Sequence, residues 1–236
     1  CFQAIAGNVP SNRCTPVFGG ESITIVPGVT MFVVRWNHSG DAQRNPEQHN
    51  PIELTAPPVP DPETGGLRAG VAEDFPNGGG SRAYLFRVDG SEGRFSWFYH
   101  GSASPVDFHL PIVVNEVDYG APLDNLIVAM DDAELESVDL WIGGSDARIA
   151  ELVLPILAPK AFLPIHWDGL DAPFEPGMPD RFSNPPLEQL LSGAGVELIR
   201  QNQYMDKWRL DHEGTRSIDN HAAKQLLGFA EVQNLP

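Results

Sequence analysis

The sequence predicts an α+β protein in which helices pack on a sheet, and three observations lead there. Two pairs of β-rich runs come early, each joined by a short turn of glycine or proline. From Leu123 onward helix and strand patterns alternate, which argues for layers of helix on sheet. No internal repeat is present, which removes solenoids and propellers. With 236 residues, 42% of them hydrophobic, the chain can bury a real core and reads as one domain, or most of one.

The first pair of strands is predicted at Glu21–Val26 and Thr30–Trp36 around Pro27-Gly28, a turn pair that fits a hairpin. It runs out into a polar cluster, Asn37-His38-Ser39-Gly40-Asp41. Residues 45–80 carry many prolines and glycines and neither period. A stretch of this length inside a compact domain reads as a lid or covering arm.

The second pair is predicted at Arg82–Val88 and Arg94–Tyr99, joined by Asp89-Gly90-Ser91-Glu92-Gly93. It ends in another turn of small polar residues, His100-Gly101-Ser102-Ala103-Ser104. There follow a helix at Leu123–Leu135, a strand at Val138–Ile142, a helix at Asp146–Leu157 and a strand at Ala161–Ile165, which stops at His166-Trp167-Asp168. The tail is predicted to add a short helix at Leu187–Leu191, strands at Val196–Ile199 and Met205–Leu210, and an amphipathic helix at Ile218–Phe229.

Composition excludes partners more than it names them. Thirty-two Asp and Glu stand against 15 Lys and Arg, and the only lysines are Lys160, Lys207 and Lys224. Nucleic acid is disfavoured, since phosphate binding needs a basic face that releases counterions, and an anionic membrane surface is disfavoured by the same repulsion. No stretch approaches the roughly 20 apolar residues of a spanning helix, and Cys1–Pro10 lacks the pattern of a signal peptide.

Cys1 and Cys14 are close enough in sequence for a disulfide, which would imply an oxidising, extracytoplasmic compartment; two free thiols fit equally well. A start at cysteine suggests a processed chain: a proteolytic fragment, a lipoprotein start, or self-cleavage exposing Cys1 as an N-terminal nucleophile.

Three places share one design, a hydrophobic strand that stops at a turn bearing a ligand-type or small polar residue: His38, the Gly101-Ser102 pair and His166. Strand ends are held rigidly by the sheet while their side chains face open space. Gly78-Gly79-Gly80 is not a phosphate loop, because it precedes a strand and lacks the following Lys-Ser or Lys-Thr. No Gly-x-Ser-x-Gly elbow is present, which disfavours a serine hydrolase of the α/β type.

Leu163-Pro164-Ile165-His166-Trp167-Asp168 resembles the last metal-binding motif of the metallo-β-lactamase superfamily. Val138-Asp139-Leu140-Trp141-Ile142-Gly143-Gly144 is similar to that family's penultimate strand. Phe95 to Ser102 resembles the strand ending in Gly-Asp that supplies the bridging carboxylate, and Phe32 to Gly40 resembles the strand carrying the third-motif histidine. The resemblance runs over roughly residues 20 to 210. It implies the C-terminal half of a four-layer αββα sandwich, the N-terminal portion lying outside this chain.

The resemblance further implies hydrolysis by a water bound to zinc, one ion or two, acting on an ester, lactone, amide or phosphodiester. His38 and His166 would be the metal ligands, converging from neighbouring strand ends on a shared cation, with Asp41 and Asp168 orienting them. Ser102, His100 and His109 are further candidates for contact with metal or substrate. Two departures bear on this. No His-x-His-x-Asp-His cluster is present, so a separate or cleaved N-terminal half would have to supply it. Ser102 also stands where the family's carboxylate would, which favours one ion over two.

Blander readings stay open. His166 could be a structural histidine beside Trp167, His38 a polar turn residue, and His100 and His109 inert; His49, His212 and His221 are assigned no role. A relic of the fold serving as a binding or structural module is the alternative to an enzyme. A hydrolase using Cys1 is a second alternative.

Overall fold

A computed structural model describes residues 9–37, 63, 81–101, 103, 108–114, 116–166, 183–200, 205–211 and 213–227. It is a mixed α/β structure built on one large sheet. Strands β1 (Ser22–Val26), β2 (Val29–Trp36), β3 (Ser81–Gly90) and β4 (Gly93–Tyr99) form an antiparallel meander. Strands β7 (Leu140–Gly144), β8 (Ala161–Ile165) and β9 (Glu197–Leu198) continue the sheet in parallel from β4, giving seven strands in the order β1-β2-β3-β4-β7-β8-β9. Two small hairpins stand apart, β5 (Val113–Val114) with β6 (Val117–Asp118), and β10 (Lys207–Asp211) with β11 (Gly214–Ile218).

Helices α1 (Pro122–Asp132), α2 (Ala147–Leu157) and α3 (Pro185–Gly193) each lie on a crossover between parallel strands, and α4 (His221–Leu226) follows the last hairpin. Three helices on successive crossovers of the same direction pack on one face of a sheet. The register shows which face. Phe32, Leu85, Phe98, Trp141 and Phe162 stand opposite one another on five consecutive strands and are all buried. With them in a single core are Leu126 and Met130 of α1, Val153 and Leu157 of α2, and Leu187 and Leu191 of α3.

The other face is also apolar. Met31, Phe86, Trp97 and Leu140 form one row across it, and Tyr84, Tyr99, Ile142 and Leu163 form the next. These side chains are half-buried, Tyr99 is 39% exposed, and Phe86 stacks on Trp97 at 4.5 Å. A sheet with one face toward water normally alternates apolar and polar along its strands, and this one does not.

Side-chain caps close the N-termini of α2 and α3. Asp146 precedes α2 and accepts from the Arg148 amide; the adjacent guanidinium holds its carboxyl below the usual range. Asn184 caps α3 through the Leu187 amide. Past the C-terminus of α1, the carbonyls of Ala133 and Glu134 accept from Arg87 and Arg94.

Both predicted hairpins are present, and β8 has the predicted bounds. The tail needs a correction: residues predicted as the start of a helix at Ile218 end a strand instead, and α4 is only His221–Leu226. Thr215, Arg216 and Ser217 have no apolar period; they are extended because the ladder with β10 and the Arg216–Asp211 ion pair hold them so. The β5–β6 hairpin was not predicted either. No helix among the described residues is long and apolar enough to cross a membrane.

Candidate functional site

Because β2 runs in the same direction as β4, and β4 is parallel to β7 and β8, these four strands end on one edge of the sheet. The ends of β2, β4 and β8, after which the sequence places polar turns, therefore lie on a single edge. Ligand sites of parallel sheets gather beyond the carboxyl ends of strands, where backbone groups leave the ladder.

The ends of β4, β7 and β8 are contiguous. His100 continues the ladder by donating its amide to the Ile142 carbonyl at 3.1 Å. A Cβ built on Gly144 would lie 3.5 Å from the Gly101 carbonyl oxygen, so the Gly101 turn sits beside the end of β7. Gly144 in turn pairs with Ile165, the residue before His166.

His166 is exposed and takes a left-handed backbone, φ 58°, just past the end of β8. That conformation is uncommon outside glycine and marks a sharp departure from the strand, which carries the imidazole to the open edge. His100 lies in the opposite environment. It is fully buried on the helix side of the sheet, next to the rings of Trp36, Phe98 and Trp141. Its Nδ1 lies 2.6 Å from the Gly101 carbonyl oxygen, so that nitrogen carries the proton and donates. Burial pushes its pKa down to about 4, the Gly101 hydrogen bond opposes this, and the charge of His166 adds a smaller lowering. His100 and His166 therefore feel one another, one below the edge and one upon it.

His109 is exposed in the turn preceding β5. Its neighbour Phe108 packs on Trp36 at 4.7 Å, which places the turn by the end of β2. His38, Asp41, Ser102 and Asp168 lie outside the described residues, as do Cys1, His49, His212, Trp167 and nearly all of 45–80. Cys14 is a half-buried free thiol.

One expectation about the edge changes. His38 and His166 were to converge from neighbouring strand ends, but β3, β4 and β7 lie between β2 and β8. At about 4.8 Å per strand the ends of β2 and β8 are about 19 Å apart along the edge, whereas those of β4 and β8 are about 10 Å apart. The pairing of distant segments set this order, and no local pattern carries it.

Asp139, in the segment matched to the penultimate strand, serves the opposite edge. Its carboxylate accepts from the Ser96 amide at 2.7 Å and from Lys160 at 2.6 Å, joining the middle of β4 to the starts of β7 and β8. Sequence reasoning also missed that His100 belongs to the core. The alternation Ser96, Phe98, His100 along β4 was the available signal, since all three face the helices and all are buried.

Among the described residues no group of three or more His, Cys, Asp or Glu side chains is placed to hold a metal ion. No protein-family model matches the chain, nor does any curated protein or solved structure.

Proposed function

We propose that the chain is part of a metal-dependent hydrolase similar to the metallo-β-lactamase superfamily, with its site on the edge where β4, β7 and β8 end. The observation that carries this reading is the placement of His166, an exposed imidazole projected past a parallel strand next to the last, glycine residue of β7, which abuts the Gly101 turn after β4. A neutral imidazole held at a rigid strand end fits one position of a zinc shell. His38, Ser102 and, as orienting groups, Asp41 and Asp168 would complete this chain's share. Given the strand order, His38 reaches the same ion only if its turn folds back along the edge. Zinc bound there supplies a water whose pKa is lowered toward neutrality.

The remaining ligands would come from an N-terminal segment or partner chain carrying a His-x-His-x-Asp-His cluster. Its support is the second apolar face of the sheet, with its rows of Phe86, Trp97, Tyr84 and Tyr99. In a four-layer αββα sandwich that face would pack on a second sheet, about 10 Å away. The reading of a relic used as a binding module is favoured by Ser102, a hydroxyl where the family places a carboxylate.

Elemental analysis of the native protein, together with whatever chain copurifies, tests the proposal. About one zinc or more per complex, lost in His166→Ala while the fold is kept, supports the hydrolase. Absence of metal, or an unchanged metal content in His166→Ala, overturns it.

A further inference from the structure

Strand β1 opens the sheet order, and among the described residues it pairs with β2 alone, so its outer side is a free edge. The bonds to β2 tell which groups line that side. Val33 donates its amide to the Glu21 carbonyl, and bonded and non-bonded positions alternate along an antiparallel pair. Ile23, opposite Met31, is therefore bonded to β2, whereas Ser22, opposite Phe32, and Thr24, opposite Thr30, turn their N–H and C=O groups outward. Past Thr24 the register shifts and Pro27 follows, so the regular free ladder ends there.

Exposed edges are usually guarded by charge. This chain has a formal net charge of -17, yet Ser22–Val26 carries none, and Ile25 and Val26 are 50% and 52% exposed. The adjacent carboxylate, Glu21, is turned back onto the amides of Phe18 and Gly19. On the helix side Val128 of α1, 54% exposed, shares a recess with Glu21 and Phe32 beside the edge. Such an edge offers a charged peptide nothing to recognise, but it matches its own reverse. Turned about a two-fold axis at Ile23, Ser22 of one copy lies opposite Thr24 of the other, and the two residues exchange their outward N–H and C=O groups. Ile23 then faces the second copy's Ile23 as a non-bonded pair, with Cα atoms about 4.5 Å apart.

We propose that β1 is a self-association edge, which pairs antiparallel with β1 of a second copy of this chain about a two-fold axis at Ile23. The two seven-stranded sheets become one continuous sheet. Because the same surface is used by both copies, the contact closes at a dimer and does not propagate into a fibre. Pairing edge to edge leaves both faces of the sheet as they are, so the inference is independent of any metal at the strand-end edge and of what covers the second apolar face.

The test uses the full chain with whatever copurifies, in sedimentation velocity over a range of concentrations. Wild type should move from the monomer to the dimer value as concentration rises. Proline is tolerated in an edge strand where its missing N–H faces solvent, so Thr24→Pro should keep the circular dichroism spectrum and stay monomeric throughout. Ser22→Pro removes the other outward N–H and replaces it if Thr24→Pro does not fold. In a background with Cys1 and Cys14 changed to serine, oxidised Ile23→Cys should form a disulfide-linked dimer. Ser22→Cys, two residues out of line with its own copy, should not. The proposal is overturned by a chain that stays monomeric at every concentration, or by a complex only with a chain of different mass. Association unchanged in a folded proline variant, or Ile23→Cys that does not cross-link, overturns it equally.

Discussion

Acid should destabilise this fold through His100, and the size of the effect follows from its burial. The folded imidazole has a pKa of about 4 against 6.5 for an ordinary histidine, because the charged form cannot be solvated among Trp36, Phe98 and Trp141. As pH falls below 6.5 the unfolded chain takes up this proton first, so stability drops, and the loss levels off below pH 4, where both states carry it. At about 1.4 kcal/mol per pH unit, the interval from pH 7.5 to 4.5 costs about 2.5 kcal/mol. Carboxylates titrate over the same range, so the measurement is a difference. Urea unfolding at both pH values is compared between wild type and His100→Gln, each protein referred to its own value at pH 7.5. The variant should lose about 2.5 kcal/mol less than wild type. Equal losses in the two proteins, or an NMR titration of His100 centred near 6.5, would refute the reasoning.

Three further outcomes are expected. Gly19 and Gly20 both have left-handed backbones, φ 117° and 91°, yet only at Gly19 would a Cβ collide, 2.7 Å from Arg35 Cβ and 2.9 Å from its amide nitrogen. Urea unfolding should find Gly19→Ala more destabilising than Gly20→Ala by about 1–3 kcal/mol. Asp139→Ala leaves the Ser96 amide without its acceptor and should cost about 1–3 kcal/mol. Lys160→Met removes only an exposed partner and should stay within about 1 kcal/mol, which the same assay decides. Tyr99→Lys replaces a side chain that is already 39% exposed and should leave the thermal midpoint nearly unchanged in a thermal melt.

What the sequence made legible was local. β2, β3 and β4 show an apolar period, and the turns of the β1–β2 and β3–β4 hairpins carry glycines; Gly28, between β1 and β2, has φ 83° and approaches the Asp89 carbonyl. β8 could be bounded because Lys160 and His166 flank a run of apolar residues. β7 was placed two residues early. Gly143 and Gly144 look like a turn in sequence, but Gly143 stays in the strand and makes room for His100 and Trp141, two residues brought there by folding. β11 was missed for a related reason: its polar residues are held by pairing and ion pairs rather than by burial.

The candidate site divides along the same line. That β2, β4 and β8 each end in a polar turn could be read, because it is a property of each strand alone. That β4 is where antiparallel pairing gives way to parallel could not, since it depends on β7 docking beside β4 rather than elsewhere. This junction decides the geometry of the edge. It places the Gly101 turn against Gly144, two strand spacings from His166, and leaves β2 on the far side of β3. Toward the opposite edge the carboxylate of Asp139 joins the middle of β4 to the starts of β7 and β8. One end of the three strands is thus pinned by charge and hydrogen bonds, while the other is built of glycines and an imidazole in a left-handed turn. The second end is the one that carries the exposed imidazole a metal would need. The test of the proposed function therefore turns on His166 rather than on the carboxylate of the resembling segment.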